Sequence, residues 1–205
     1  MARTKGTRNL RNEFYILTNG KETESNYFKL LKAKQSPYDV KVLFQNEDPL
    51  GLVRSAQKYL AGSNQVWVVF DVDNTYGEGV LHPAIVEAEK SGVKCAISNM
   101  AFEVWLISHF QKCNQELYAD GHKRILDKYL NGIKTGLTYS KSDSETLKKY
   151  FIPNYRVAVE NCKIVYQERM KDFQSTHSLT ARPKIWEWNS CSTVYKLVEA
   201  LKLMI

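Results

Sequence analysis

Over its first 112 residues the chain alternates between short apolar runs and longer stretches in which apolar residues recur every three or four positions. The first pattern fits strands and the second fits amphipathic helices, so the segment reads as strand then helix, four times over. EFYILT (13–18) predicts a strand, and the following segment a helix over 23–34 with Tyr27, Leu30, Leu31 and Ala33 on its apolar stripe. VKVLF (40–44) predicts a second strand. Asp48 and Pro49 then suit the N-cap and first position of a helix, and Gly62 its stop. QVWVVFD (65–71) is almost continuously apolar, as a central strand covered on both faces requires. A helix over 82–91 ending at Gly92, a strand KCAIS (94–98) and a helix over 101–111 complete the series.

Beyond residue 112 the strand signal fades, and segments near 119–132, 143–150, 153–172 and 192–203 read as helices. Residues 174–192 have no clear period and predict a surface loop. The expected fold class is α/β: a mainly parallel sheet flanked by helices over 1–112, with an α-rich half over 113–205 packed on it in one domain.

Composition changes this picture little but narrows the function. With 43% hydrophobic and 25% charged residues the chain is ordinary globular protein, and runs such as VWVVF fall far short of a bilayer span. The basic start MARTKGTRNLRN lacks the apolar stretch of a signal peptide, so a soluble, cytoplasmic protein is expected. Cys95, Cys113, Cys162 and Cys191 form no CxxC pair, which argues against a zinc site or a disulfide framework and for reduced thiols. Lys and Arg outnumber Asp and Glu by 29 to 22, a net charge of +7. That excess would attract a polyanion, with nucleic acid the obvious partner, although many soluble proteins carry such a charge without binding it.

In open parallel sheets, functional groups collect beyond the carboxyl ends of the strands. That rule selects Asn19, Gly20, Glu22 and Glu24 after the first strand, Asn46–Asp48 after the second, Asp71 and Asp73 after the third, and Asn99 to Glu103 after the fourth. Two carboxylates at i and i+2, as in FDVDN, offer hard oxygen ligands suited to Mg²⁺ or Mn²⁺; the plain alternative is a turn or a helix cap. Glu22 and Glu24 lie in a first helical turn and either favour its dipole or take part in chemistry. Glu103 and His109 share a helical segment and could act in proton transfer, or could be a dipole partner and a core histidine. Lys141 could offset phosphate charge or simply be solvated. Arg182, Lys184, Trp186 and Trp188 interleave cations and aromatics, as a base-stacking surface does, or as an edge strand with two packed Trp does. There is no phosphate-loop motif, dinucleotide fingerprint or GxSxG elbow, which disfavours a nucleotide-hydrolysing motor and a serine hydrolase.

Four ordered blocks together resemble the RloB-like proteins, also represented by the second component of AbiL-type abortive-infection systems and built on a Toprim domain. NGKETESNYF (19–28) is similar to the family's EGxxTExxYF, VWVVFDVDN (66–74) to WxxFDxD, SNMAFEVWLISHF (98–110) to SNPxFExWLLxHF, and NSCSTVYKLVEAL (189–201) to NPxTxVxxLVxxL. YSK (139–141) also fits a short Tyr-x-Lys element. The resemblance covers nearly the whole chain. It implies a Toprim-type α/β fold in which a glutamate after the first strand and the DxD after a later one surround a divalent metal. It further implies cleavage or transfer at phosphodiesters of nucleic acid, transfer RNA included, by the effector of an antiphage system encoded with an ATPase partner.

The chain departs from the family pattern at three positions. The glutamate of the family's EG aligns with Asn19, and the two prolines with Met100 and Ser190. Asparagine can accept a hydrogen bond but cannot exchange a proton near neutral pH. Either Glu22 or Glu24 therefore reaches into the site, or activity is weakened or lost.

Overall fold

A computed structural model describes residues 12–62, 64–72, 78–178 and 180–203. Five strands form one sheet in the order β2-β1-β3-β4-β5: β1 (Glu13–Thr18), β2 (Asp39–Phe44), β3 (Gln65–Val72), β4 (Lys94–Asn99) and β5 (Cys191–Ser192). The first four are mutually parallel and β5 runs antiparallel to β4. Strand β3 lies in the middle, which explains its nearly unbroken apolar sequence. Its Trp67 and Val69 face one layer of helices, while Val66, Val68, Phe70 and Val72 face the other.

On the second of these faces lie α2 (Pro49–Gln57) and α3 (Glu78–Ser91), with Leu52, Val53, Leu81 and Ala84 in the core. Asp48 caps α2 as expected, its Oδ1 accepting from the Gly51 N–H at 2.7 Å. The other face is covered by α1 (Thr23–Leu31), α4 (Glu103–Ile107), α5 (Ala119–Ile133), α7 (Tyr155–Thr176) and α8 (Val194–Ala200). A short α6 (Ser144–Thr146) leads into α7 through a π turn over Leu147–Phe151 and a 3₁₀ turn over Ile152–Asn154. Pro153 has no N–H to continue an α ladder, while the buried Leu147 and Phe151 hold the segment on the core.

Mixed α/β architecture with a mostly parallel sheet and a helical second half is what the sequence pattern predicts. The differences are local. Helix α3 starts at Glu78 rather than 82 and runs through Pro83, because burial of Leu81 and Ala84 against its neighbours outweighs the lost backbone bond. Helix α4 is five residues long rather than spanning 101–111. The aperiodic stretch 174–192 holds the end of α7, a 3₁₀ turn over Ile185–Glu187 and the start of the sheet through β5. Through β5 and α8 the C-terminal residues rejoin the core built by the first half, and one apolar cluster runs from Phe14 to Leu201. Among the described residues no helix is long and apolar enough to cross a membrane.

The chain adds β2 on one side of β1 and then β3, β4 and β5 on the other. The order thus reverses between β1 and β3, the position at which open parallel sheets collect functional groups beyond the strands' carboxyl ends.

Candidate active site

At the end of β1 the Asn19 N–H donates to the Val69 carbonyl at 3.4 Å, extending the ladder one residue past the Thr18–Val69 pair. The turn is closed by the Thr18 hydroxyl, which donates to the Gly20 carbonyl at 3.0 Å. A Cβ at Gly20 would overlap the Glu24 carboxylate, so this carboxylate folds back over the turn, near enough for its charge to act on Asp71. Glycine here leaves room for the Glu24 carboxylate, which a Cβ would push aside, and is not needed for an unusual backbone angle.

Asp71 lies at the end of β3, opposite Ser98 of β4. Its carboxylate accepts from the Phe102 N–H, and its Oδ1 is closed to water with no hydrogen-bond partner among the described residues. Glu103 opens α4 and is 5% exposed; it accepts from the Tyr139 hydroxyl at 3.0 Å and from Lys141 Nζ at 3.2 Å. Helices α1 and α5 position those two donors. The Thr23 hydroxyl donates to the Lys141 carbonyl at 3.1 Å, and Asp127 Oδ1 accepts from the Tyr139 N–H at 2.7 Å. Three acids from three elements, Glu24, Asp71 and Glu103, thus lie near enough at this end of the sheet to feel one another's charge, with Lys141 paired to Glu103.

The electrostatics follow from burial and like charge. Burial, then the charges of Glu24 and Glu103, hold the Asp71 carboxyl well above the usual carboxylate range. Burial also raises Glu24, with Glu103 adding to the effect, although its own backbone N–H and Lys141 oppose it. Burial works against the charged form of Lys141, but the charges of Glu103, Glu24 and Asp71 outweigh it and raise the ammonium pKa. Burial and Glu103 keep the Tyr139 phenol protonated.

The remaining residues selected from the sequence fall elsewhere. Glu22 is exposed and makes no cap bond to α1. The Asn99 side chain donates to the Trp186 carbonyl. His109 is buried among Tyr27, Trp105 and Phe151; its Nδ1–H donates to the Trp105 carbonyl at 3.0 Å, so Nε2 accepts from the Tyr27 hydroxyl at 3.0 Å. Both ring nitrogens are used in packing, and burial lowers the imidazole pKa to about 4. Arg182 pairs with Glu89 and Lys184 with Glu187. Trp186 packs against His82, and Trp188 against Tyr166 and Phe173, so the two indoles are engaged with the fold. Asp73 and Asn74 lie outside the described residues.

One residue at this end of the sheet was not selected from the sequence. His122 is 1% exposed on α5, and neither ring nitrogen has a hydrogen-bond partner among the described residues. Its signal is a histidine at i, i+4 and i+8 register with Leu126 and Leu130, a polar ring on an apolar stripe.

Asp71 presents an oxygen closed to water, without a donor among the described residues and beside other carboxylates, which either a proton or a hard divalent cation would answer. Among the described residues no three His, Cys, Asp or Glu side chains form a ready metal-holding group. Such an ion would therefore draw on Asp71 together with Glu24, or with Asp73 beyond the described end of β3.

No curated protein and no solved structure matches this chain. A family model described as RloB-like protein matches residues 14–201, from the second residue of β1 to the residue after α8. With the match spanning nearly the entire chain and every element of the acid cluster, the chain belongs to the RloB-like protein family.

Proposed function

We propose that this protein is a metal-dependent nuclease of the Toprim type, the nucleic-acid-cutting effector of an antiphage system that works with an ATPase partner. The observation that carries the reading is the buried, donorless Oδ1 of Asp71 at the strand-order reversal, beside Glu24 and Glu103. A carboxylate so placed costs stability unless a proton or a cation meets it, and perturbed acids in a crevice are where catalysis concentrates. Asp71 and Asp73 would hold Mg²⁺ or Mn²⁺. When bound, the ion would polarise the scissile phosphate and make a bound water more acidic.

The chain's own residues account for the rest. Glu24, its carboxyl held over Gly20 and its pKa raised, is placed to take up and return a proton. Glu103 orients Tyr139 and Lys141, and the Lys141 ammonium, with its side chain 67% exposed, offsets the charge that builds on the phosphate. His109 serves the core. The net charge of +7 draws RNA, transfer RNA included, or DNA toward the crevice.

A second reading is favoured by Asn19, which stands where the family pattern has a glutamate: a module that binds nucleic acid, a nucleotide signal or the ATPase partner without cutting. One experiment separates the two. Purified protein incubated with RNA and DNA pools in Mg²⁺ or Mn²⁺ should shorten one of them, and chelation or Asp71→Asn should abolish the cutting. Intact pools after long incubation with metal and partner would leave the binding module.

A further inference from the structure

Beside the acid cluster, between α4, α5 and the 139–141 loop, lies a cavity of about 390 Å³ that includes Ala101, His122, Tyr139 and Ser140 in its lining. That volume is within the range of sites for small organic groups. His122 is the unusual wall. A neutral imidazole offers one donor and one acceptor, and here both nitrogens are withdrawn from water and unpaired. An orphaned polar pair of this kind is costly unless a ligand answers it.

The charges around the cavity narrow the class of ligand. Lys123, Lys141, Asp120 and Glu103 also line it, and each cation already has an acid: Lys141 pairs with Glu103 at 3.2 Å, and Lys123 with Asp127. The lining is balanced in charge, so a free anion gains little there. A neutral, flat group presenting donors and acceptors along one edge gains more, and a nucleobase is such a group. Glu103, Tyr139 and Lys141 belong to both the cavity and the acid cluster, so a base held here would belong to a nucleotide beside the bond that the acids act on.

We infer that this cavity is a nucleobase pocket, in which His122 supplies the hydrogen bonds that select one base of the bound strand. The inference rests on the proposed nuclease reading and adds the specificity element of the same site. His122 is a positioning residue: it fixes the base, not the reacting phosphate.

The test uses the full chain without divalent metal, in chelator. The imidazole NMR signals are followed while AMP, GMP, CMP and UMP are added singly, with inorganic phosphate as control, and His122 is assigned from the spectrum of His122→Gln. At least one nucleotide should shift the His122 signals saturably, and phosphate should not. His122→Phe, which keeps an apolar plug, should weaken that nucleotide about 5–30-fold, the loss expected for one or two hydrogen bonds. Ser140→Trp, at an exposed position, should block the pocket with the fold intact. Four silent nucleotides, an equal response to phosphate, or unchanged binding by both variants would overturn the pocket. Cleavage of RNA or DNA in Mg²⁺ is scored separately: cutting without nucleotide binding removes the pocket alone, whereas binding without cutting removes the nuclease reading and keeps the pocket.

Discussion

Replacing Asp71 by Asn should make the protein more stable while removing its function. In the native fold Asp71 Oδ1 is buried without a donor and its carboxyl pKa is raised, first by burial and then by Glu24 and Glu103. A carboxyl whose folded pKa lies above its unfolded value binds more protons folded than unfolded. Stability is therefore unaffected below the unfolded pKa and declines as pH rises through the folded one. Asparagine is nearly isosteric, can still accept from the Phe102 N–H, and replaces the other carboxylate oxygen by a neutral amide that can donate to the carboxylates of Glu24 and Glu103 beside it. Relieving one unsatisfied buried group is worth about 1–3 kcal/mol. For a chain of this size that is a rise of about 2–12 °C in Tm at alkaline pH, shrinking toward zero at acid pH. Thermal unfolding at several pH values measures it. Mg²⁺ supplies the complementary arm: at ten times its Kd it should stabilise the native protein by about 1.4 kcal/mol and leave the variant unmoved. A variant that is less stable at every pH, or a gain independent of pH, would refute the account of Asp71 as a strained, cation-seeking acid.

Further expectations follow from the same geometry. Gly20→Ala should displace the Glu24 carboxylate and match Glu24→Gln in lost cleavage, with Tm nearly unchanged; full activity in Gly20→Ala would separate Glu24 from the chemistry. Lys141→Met should cut the cleavage rate about tenfold or more and also cost more than about 1 kcal/mol in denaturant melts, because Glu103 is buried and would keep only the Tyr139 hydroxyl to answer its charge. Tyr27→Phe removes the hydroxyl that His109 Nε2 accepts from and should cost about 1–3 kcal/mol in urea unfolding without changing metal dependence. With a folded pKa of about 4, His109 contributes stability that is full above its unfolded pKa of about 6.5 and falls by about 3 kcal/mol as pH drops to 4. Urea melts at pH 4 and 7 should show that loss in the native chain and not in His109→Phe.

Much of the scaffold was legible because its signals are local. An unbroken apolar run marks β3 as central, an acid ends it, and Asp48-Pro49 starts α2 where the cap chemistry requires. Gly20 and Glu24 are four apart in sequence, so their contact was within reach of a local reading. His109 was less legible, since an ionisable ring in a helical segment fits catalysis and packing equally until its neighbours are known. The aromatic alternation at Trp186 and Trp188 was ambiguous for the same reason, and the structure engages both rings with the fold. Two-residue β5 has no period to detect, because it exists only where it meets Ser98 and Asn99.

The sequence by itself determined the alternation of strands and helices, the central place of β3 and the acids that follow β1, β3 and β4, since each depends on chain periodicity and local turn chemistry. Only the tertiary structure decided that Glu103 receives Tyr139 and Lys141 from 36 and 38 residues further on, that Asp71 Oδ1 has no donor among the described residues, and that His122 lines a cavity while neither of its nitrogens has a partner among them. Those facts depend on strand order and on which helix face meets which strand end. They are set by burying one apolar cluster that runs from Phe14 to Leu201, and no single segment specifies them.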